Sequence, residues 1–166
     1  HNSFCKVNTL LRDIYNRSRT LVPDARPVKL HLDLDVPNPA FGFLTDTNLL
    51  GETLLILVDN AIKYTQKGEI HLGYEMQRNE AVKFSVSDTG IGIPQEEIEN
   101  IFSRFYRVKN EINDITSGSG VGLPIAQHYV QLLGGDLSIE TTPGKGTTFW
   151  FTLPFNEGEG YLKIVS

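Results

Sequence analysis

An alternating strand that runs into a carboxylate and two glycines constrains this chain more than any other stretch. Val82, Phe84 and Val86 alternate with polar residues, which is the pattern of a half-buried strand. The next residues, 87–94, read Ser-Asp-Thr-Gly-Ile-Gly-Ile-Pro. A carboxylate beside backbone without side chains suits a flat heterocycle that carries an amine. A tight turn explains the same residues, since Asp, Thr and Gly are ordinary turn formers, and the stretch alone leaves both interpretations open.

Hydrophobic periodicity divides the rest of the chain into strands and helices. It predicts strands at 4–7, 28–36, 41–44, 69–77, 81–87, 136–141 and 147–153, and helices at 8–20, 46–65, 94–106 and 121–133. Asn8 or Thr9 is the expected cap of the first helix, and Thr45 or Asp46 that of the second. Strands and helices mixed with hairpins indicate an α+β two-layer sandwich. We expect one mixed, mostly antiparallel sheet of about five strands, covered on one face by three main helices.

Length and composition set the limits on partners. The 166 residues predict one domain at 1–155, followed by an unassigned tail at 156–166. A net charge of −5 argues against a nucleic-acid surface, which would be basic. Cys5 is the single cysteine, so a disulfide within the chain is excluded. The strongly apolar run at 54–58 is far too short to span a membrane.

The helix predicted at 46–65 has two different faces. Its core face is expected to contain Leu50, Leu54, Leu57, Val58 and Ala61, which follow helical spacing. Glu52, Ile56, Asn60 and Lys63 fall on the opposite side, within roughly 80° of one another. The helix therefore presents an amide and an ammonium group on a face that the core does not use.

A glycine-rich stretch at 118–123 precedes the last predicted helix. It is not a Walker A loop, because no Gly-Lys-Ser/Thr follows, and no strand precedes it as a dinucleotide fingerprint requires. The helix N-terminus still offers backbone N–H groups that suit a phosphate. A flexible linker at the start of a helix is the alternative interpretation.

Four motifs in order give the chain a family resemblance. They are Asp-Asn-Ala-Ile-Lys-Tyr-Thr at 59–65, Asp-Thr-Gly-Ile-Gly-Ile-Pro at 88–94, Ile-Phe-Ser-Arg-Phe-Tyr-Arg at 101–107 and Gly-Ser-Gly-Val-Gly-Leu at 118–123. The set resembles the catalytic and ATP-binding domain of sensor histidine kinases, within the superfamily that also contains gyrase, Hsp90 and MutL. The ending at 142–149 also matches the last strand pair of that family. The resemblance implies the Bergerat ATP-binding fold.

The resemblance also implies a role for each residue of a site for ATP and Mg²⁺. Asp88 would accept a hydrogen bond from the adenine amine, which fits an acceptor-only carboxylate. Asn60 would bind Mg²⁺ through its amide oxygen. The residues implied in ATP binding are Asn60, Lys63, Tyr64, Asp88, Gly90, Gly92, Ile93, Arg104, Arg107, Gly118, Gly120, Val121, Gly122, Leu123 and Thr147. Among them, Asn60, Lys63 and Arg104 would be catalytic.

Within this set, the glycine motif at 88–94 would form the base pocket, and the glycine motif at 118–123 would form a lid. Gly90 and Gly92 would leave room for the base between Tyr64 and Ile93, with the Thr147 hydroxyl on the adenine side. Lys63, Arg104 and Arg107 would neutralise phosphate. The lid over the triphosphate would hinge at Gly118, Gly120 and Gly122. Val121 and Leu123 belong to the same motif.

Two features depart from the family pattern. Ile56 stands where relatives have a polar residue, or the general-base Glu of gyrase-type enzymes, which disfavours a gyrase- or MutL-like ATPase clamp. The histidines are followed by Asn2, Leu32, Leu72 and Tyr129, so none matches the phosphoacceptor pattern. The expected function is phosphoryl transfer to a histidine on an upstream dimerisation domain. A degenerate module that binds nucleotide without transfer is the alternative.

The resemblance finally implies the surroundings of the domain. The parent protein would be a homodimer that passes the phosphoryl group to the receiver domain of a response regulator. The domain itself would be cytoplasmic, with no nucleic acid and no direct membrane contact. An inner-membrane anchor on the parent protein is left open.

Overall fold

The fold is that of a computed structural model, which describes residues 1–78, 80–93 and 122–155. Three helices and seven strands lie in these ranges. In chain order they are β1 (Ser3–Lys6), α1 (Val7–Arg19), β2 (Val28–Leu34), β3 (Gly42–Thr45), α2 (Thr47–Tyr64), β4 (Gly68–Gln77), β5 (Ala81–Asp88), α3 (Gly122–Leu133), β6 (Ser138–Thr142) and β7 (Gly146–Pro154). Each of these elements was predicted to within about three residues, which is the usual uncertainty of element ends.

The main sheet has five strands in the order β2-β4-β5-β7-β6. Strand β2 runs parallel to β4, and the other neighbours are antiparallel. The sheet is therefore mixed and mostly antiparallel, and with the helices it forms the predicted α+β sandwich. The hairpin β4–β5 and the pair β5–β7 place Asp88 between Ile70 and Thr147.

One face of this sheet forms the core, because buried side chains alternate along the central strands. Val82, Phe84 and Val86 of β5 are almost fully buried, while the residues between them are only partly buried. Phe84 stacks on Phe151 of β7 with 5.4 Å between ring centroids. The helices cover this face, and the opposite face contains polar side chains.

Helix α2 supplies the centre of the covering layer. Asp46 is its N-cap, and its side chain accepts a hydrogen bond from the Leu49 N–H at 3.1 Å. This confirms Asp46 rather than Thr45 as the cap. The predicted core face is confirmed as well, since all five of its members are at most 2% exposed: Leu50, Leu54, Leu57, Val58 and Ala61.

The expected cap of the first helix was wrong. Helix α1 begins at Val7 with Lys6 as N-cap and has no capping side chain. Asn8 is instead buried in the interior, where its amide donates to the Val36 carbonyl at 2.7 Å and accepts from the Tyr74 hydroxyl at 2.6 Å. Strands β1 and β3 form a separate two-stranded sheet.

The remaining predictions concern segments outside the described ranges. The helix at 94–106, the glycine stretch up to residue 121 and the tail at 156–166 all lie there. Among the described helices, none combines the length and the apolar character needed to cross a membrane.

Candidate functional site

A pocket lies where the C-terminal half of α2 meets the end of β5 and the start of β7. Its lining residues are Asn60, Tyr64, Asp88, Ile91, Gly92, Ile93 and Thr147. Six of these were predicted as site residues from the sequence, and Ile91 was not. Asn60 and Tyr64 reach the pocket from one helix because they are four residues apart, about one helical turn.

Asp88 contributes a carboxylate to the wall of this pocket. It is 8% exposed, and its Oδ1 accepts a hydrogen bond from the Gly90 N–H at 2.8 Å. Burial raises the pKa of Asp88 to about 6, although the N–H groups of Gly90 and Thr147 and the hydroxyl of Thr65 act in the opposite direction. The carboxylate is thus ionised at neutral pH and remains a strong acceptor for a donor entering the pocket.

Sequence reasoning missed Thr65, which lies behind Asp88. The Thr65 side chain is fully buried, and among the described residues its hydroxyl is the one buried side-chain polar atom without a hydrogen-bond partner. It lowers the pKa of Asp88 through its proximity, but its geometry falls short of a hydrogen bond.

Arg26 is a second residue that the sequence did not identify. Its Nη1 donates to the Ile62 carbonyl at 2.6 Å and to the Thr65 carbonyl at 3.3 Å. These oxygens belong to the last turn of α2, whose carbonyls have no partner within the helix. Arg26 therefore fixes the end of the helix that presents Asn60 and Tyr64. A cap supplied from 36 residues away has no local sequence signal.

The β6–β7 hairpin holds the loop that follows Asp88. The Gly144 N–H donates to the Ile91 carbonyl at 2.7 Å, and the Ile93 N–H donates to the Thr141 hydroxyl oxygen at 2.8 Å. Thr141 also shares a hydrogen bond of 2.8 Å with the Thr147 hydroxyl. One network of hydroxyl and backbone groups thus joins both sides of the pocket.

Two glycines allow this close approach. Gly92 has a φ of +72°, and a Cβ there would lie 2.8 Å from the Pro143 Cα. Gly146 has a φ of +139°, and its Cβ would collide with the backbone carbonyl of Asp88. Both conformations are strained for residues with a side chain. Gly90, also predicted in the site, does not line the pocket but packs against the Tyr64 carbonyl and the Asp88 carboxylate.

The outward face of α2 carries the other predicted groups. Lys63 Nζ lies 3.1 Å from Asp59 Oδ2, with both side chains partly exposed, and it does not line the pocket. Ile56 packs beside the start of α3, where a Cβ on Gly122 would lie 3.3 Å from Ile56 Cγ2. The apolar residue at position 56 therefore has a packing role between the two helices.

The other members of the predicted set lie beside the pocket or outside the described ranges. Gly122 and Leu123 begin α3, and Leu123 is buried in the core. Arg104, Arg107, Gly118, Gly120 and Val121 lie outside the described residues. Their roles stay predictions.

The pocket contains an oxygen donor that suits the predicted Mg²⁺. Asn60 is half-buried and lines the pocket, so its amide oxygen is accessible to a hard cation. Mg²⁺ usually takes one or two protein oxygens and completes its shell with water and phosphate. Asn60 would supply the protein oxygen, and the ion would neutralise charge on the phosphates.

Known proteins with similar sequences include a sensor protein and a sensor histidine kinase of bacteria. The chain is 32% identical over 146 residues to the aerobic respiration control sensor protein ArcB of Escherichia coli (strain K12), covering 87% of this chain and 18% of ArcB. It is 40% identical over 115 residues to the sensor histidine kinase WalK of Bacillus subtilis (strain 168), covering 68% of this chain and 19% of WalK. The chain thus spans less than a fifth of either relative.

Solved structures have the same fold. Full-length ShkA in complex with AMPPNP superimposes with a TM-score of 0.78 at 26% identity, covering 98% of this chain and 32% of ShkA. The nucleotide-free catalytic domain of the histidine kinase ThkA gives a TM-score of 0.72 at 26% identity, covering 93% of this chain and 97% of that domain.

The family model described as histidine kinase-, DNA gyrase B-, and HSP90-like ATPase matches residues 45–157. This range contains α2, the whole of the pocket and four of the five strands of the main sheet. The chain belongs to this ATPase family.

Proposed function

We propose that this chain is the catalytic domain of a sensor histidine kinase, which binds ATP with Mg²⁺ and transfers the γ-phosphoryl group to a histidine on an upstream dimerisation domain. The buried carboxylate of Asp88 in the wall of the pocket is the observation that carries the proposal. The kinship with ArcB, WalK and ShkA supports it, as does the AMPPNP bound to ShkA.

In this proposal, Asp88 selects adenine over guanine. An ionised carboxylate only accepts hydrogen bonds, so it pairs with the exocyclic amine of adenine and repels the carbonyl of guanine. Tyr64, Ile91 and Ile93 provide the apolar surfaces around the ring. Because the carboxylate is already held by the Gly90 N–H, it loses little freedom when the base binds.

The rest of the proposed reaction depends on position and charge. Asn60 holds the metal, while Lys63, Arg104 and Arg107 offset the negative charge of the phosphates. Phosphoryl transfer needs mostly alignment and charge stabilisation, and here the attacking nucleophile is the histidine of the partner domain. Ile56 cannot act as a base, but this reaction does not require one at that position.

Titration with ATP and with GTP tests the base pocket. Asp88→Asn replaces an acceptor with a group that can also donate. We therefore expect the binding free energy of ATP to weaken by about 1.5–3 kcal/mol, which is the contribution of a charge-assisted hydrogen bond. Asp136→Asn is the matched control, since Asp136 is exposed after α3. Wild-type ATP affinity in Asp88→Asn, or equal affinity of the native chain for GTP, would contradict the proposal.

A transfer experiment tests the reaction itself. The chain is incubated with γ-labelled ATP, Mg²⁺ and the dimerisation domain of the same parent protein, with Asn60→Ala as the inactive comparison. Acid-labile label on the dimerisation domain is the expected result. Nucleotide binding without any label would instead favour the degenerate module that binds and does not transfer.

The proposal also includes the parent protein. We infer a homodimeric sensor with a dimerisation domain ahead of this one and a response-regulator receiver domain as the later acceptor. The catalytic domain would work in the cytoplasm, and its charge of −5 favours neither nucleic acid nor an anionic membrane surface. Size measurement of the purified parent protein tests the dimer.

A further inference from the structure

A group of polar side chains lies on the open face of the main sheet, away from the helices. It consists of His31 and Asp33 on β2 with Glu69 and His71 on β4. The two strands are parallel, and the register sets His31 directly opposite His71. Ile70 and Leu72, on either side of His71, point into the core, so the histidines face outward. We call these four residues the His-Glu cluster.

The imidazole rings in this cluster are arranged side by side. They stack with 4.4 Å between centroids and 12° between planes. His31 Nε2 lies 2.8 Å from Glu69 Oε1, and His71 Nδ1 lies 3.0 Å from Asp33 Oδ2. One ligand atom from each of His31, Glu69 and His71 falls within 4.8 Å of the others. Three donor atoms from two neighbouring strands therefore lie close together on this face. Because the stacked rings direct their lone pairs along nearly parallel planes, one imidazole would turn about its Cβ–Cγ bond when both histidines bind one ion.

Asp33 settles the tautomer of one histidine. A carboxylate cannot donate, so the hydrogen bond at His71 Nδ1 requires the proton to be on that nitrogen. Neutral His71 then has its lone pair on Nε2, where it can bind a metal. A histidine that donates its other N–H to a carboxylate is the usual second-shell arrangement at protein metal sites.

Glu69 and His31 supply the other two donors. At present their contact needs a proton on His31 Nε2, because the carboxylate accepts. A cation that binds between them takes the place of that proton, which moves to Nδ1 as in ordinary exchange between imidazole tautomers. Their separation of 2.8 Å is only slightly shorter than the spacing of about 3.3 Å between ligands in a tetrahedral site.

We propose that the His-Glu cluster is a zinc site, with His31, His71 and Glu69 as ligands and Asp33 as the positioning residue. Two histidines and one glutamate are a set that Zn²⁺ takes in proteins, with water in the fourth position. The side chains of His31, His71 and Glu69 are 37%, 42% and 52% exposed, so an ion reaches them from solvent. The site lies on the opposite face of the sheet from the pocket of Asp88.

Bound zinc would join β2 to β4. Within the part of the chain that the structure describes, β2 lies at one edge of the sheet and has β4 as its only neighbour. An ion that binds the folded chain and not the unfolded one stabilises it by mass action, by about 2.7 kcal/mol at a hundredfold excess over the dissociation constant. This inference does not depend on the proposed kinase activity.

Calorimetric titration of the metal-free chain with Zn²⁺ tests the site. We expect one ion per chain, and a loss of affinity of at least about tenfold in both His31→Gln and His71→Gln. Asp33→Ala removes the partner of His71 Nδ1 and should weaken binding by roughly 10–100-fold while leaving all three ligands in place. Co²⁺ in place of Zn²⁺ should give the visible absorption of a tetrahedral site in the native chain and lose it in His71→Gln.

Two histidines outside the cluster serve as controls. His128 is exposed on α3, and His1 is exposed ahead of β1. His128→Gln and His1→Gln should bind Zn²⁺ as the native chain does. Melting curves without metal verify that each variant is folded. Absence of binding, binding that survives His31→Gln and His71→Gln, or binding that disappears in His1→Gln would overturn the proposal.

Discussion

The two ends of the candidate site differ in how they are built. At the base end, Asp88 is 8% exposed and is held by hydrogen bonds from the chain itself. At the proposed phosphate end, Lys63 has a side chain that is 37% exposed, and its one ion pair among the described residues is with Asp59, four residues away on the same helix. The base end is thus part of the folded core, whereas Lys63 is a surface group on a helix.

This difference predicts where substitutions are tolerated. A change at the base end should alter folding and binding together, because the same groups do both. A change at the phosphate end should alter binding or transfer and leave the fold unchanged. The four predictions below test this contrast, from the largest expected effect to the smallest.

Gly146→Ala should have the largest effect. A methyl group at this position collides with the Asp88 carbonyl, and the φ of +139° is strained for alanine. We expect a loss of about 3 kcal/mol or more in the free energy of unfolding, measured in urea, together with loss of ATP binding.

Gly144→Ala is the matched control for this change. Gly144 has a φ of +79°, and no atom of the described residues lies within 4 Å of its Cβ position, so only the left-handed strain of about 1–2 kcal/mol applies. Equal losses of unfolding free energy in Gly146→Ala and Gly144→Ala would show that the contact with the Asp88 carbonyl does not cause the destabilisation.

Stability should also depend on pH through Asp88. Its pKa is about 6 in the fold against an ordinary 3.8, so the native chain holds the proton more tightly than the unfolded chain does. This contribution to stability is greatest below about pH 4, falls as the pH rises to about 6 and is level above that. About two pKa units correspond to roughly 3 kcal/mol.

The contribution is measured as the difference between the native chain and Asp88→Asn in urea unfolding across this pH range. ATP affinity should show the opposite trend, because adenine needs the ionised carboxylate, and so it should weaken below about pH 6. A difference between the two proteins that does not change with pH would contradict the assignment.

Arg26→Met should have an intermediate effect. It leaves the carbonyls of Ile62 and Thr65 without their charged donor at the end of α2. We expect a loss of about 1.5–2 kcal/mol in unfolding free energy and a weaker ATP complex, since the helix end lines the pocket. Arg19→Met, exposed at the end of α1, should change neither quantity by more than about 0.5 kcal/mol.

Lys63→Met should have the smallest effect on the fold. The pair with Asp59 is exposed and worth about 0.3–0.5 kcal/mol, so unfolding should change by no more than that. We expect ATP affinity to fall less than in Asp88→Asn, and phosphoryl transfer to slow. Lys67→Met, in the exposed turn after α2, is the control. Strong destabilisation by Lys63→Met would contradict the contrast between the two ends.

Local patterns predicted most of the fold because each element carries its own signal. Alternation along β5 and helical spacing along α2 both report which face is buried, and Asp46 is an ordinary N-cap. The prediction that Asn8 caps the first helix was wrong because it also relied on local chemistry alone. It has the chemistry of a cap, but its partners Val36 and Tyr74 are distant in sequence and take it into the interior.

In the candidate site, too, local patterns predicted the motif residues but not the residues that act through distant contacts. Asp88 and Asn60 were found because their motifs are local, and the fold brings them to one pocket. Arg26, Thr65 and Thr141 act through partners across the sheet or at the end of a helix, and no spacing in the sequence indicates such contacts. The facing of His31 and His71 likewise depends on the register of parallel strands that are 40 residues apart.

The β6–β7 hairpin determines when the pocket can form during synthesis. Ile91 and Ile93 depend on Gly144 and Thr141, and Asp88 is paired with Thr147, yet these partners are made some 50 residues later. At about 5–20 residues per second, a ribosome exposes the motifs at 59–65 and 88–94 seconds before the strand that completes the site. ATP therefore cannot assist the early folding of the chain and can stabilise it only after β7 has joined the sheet.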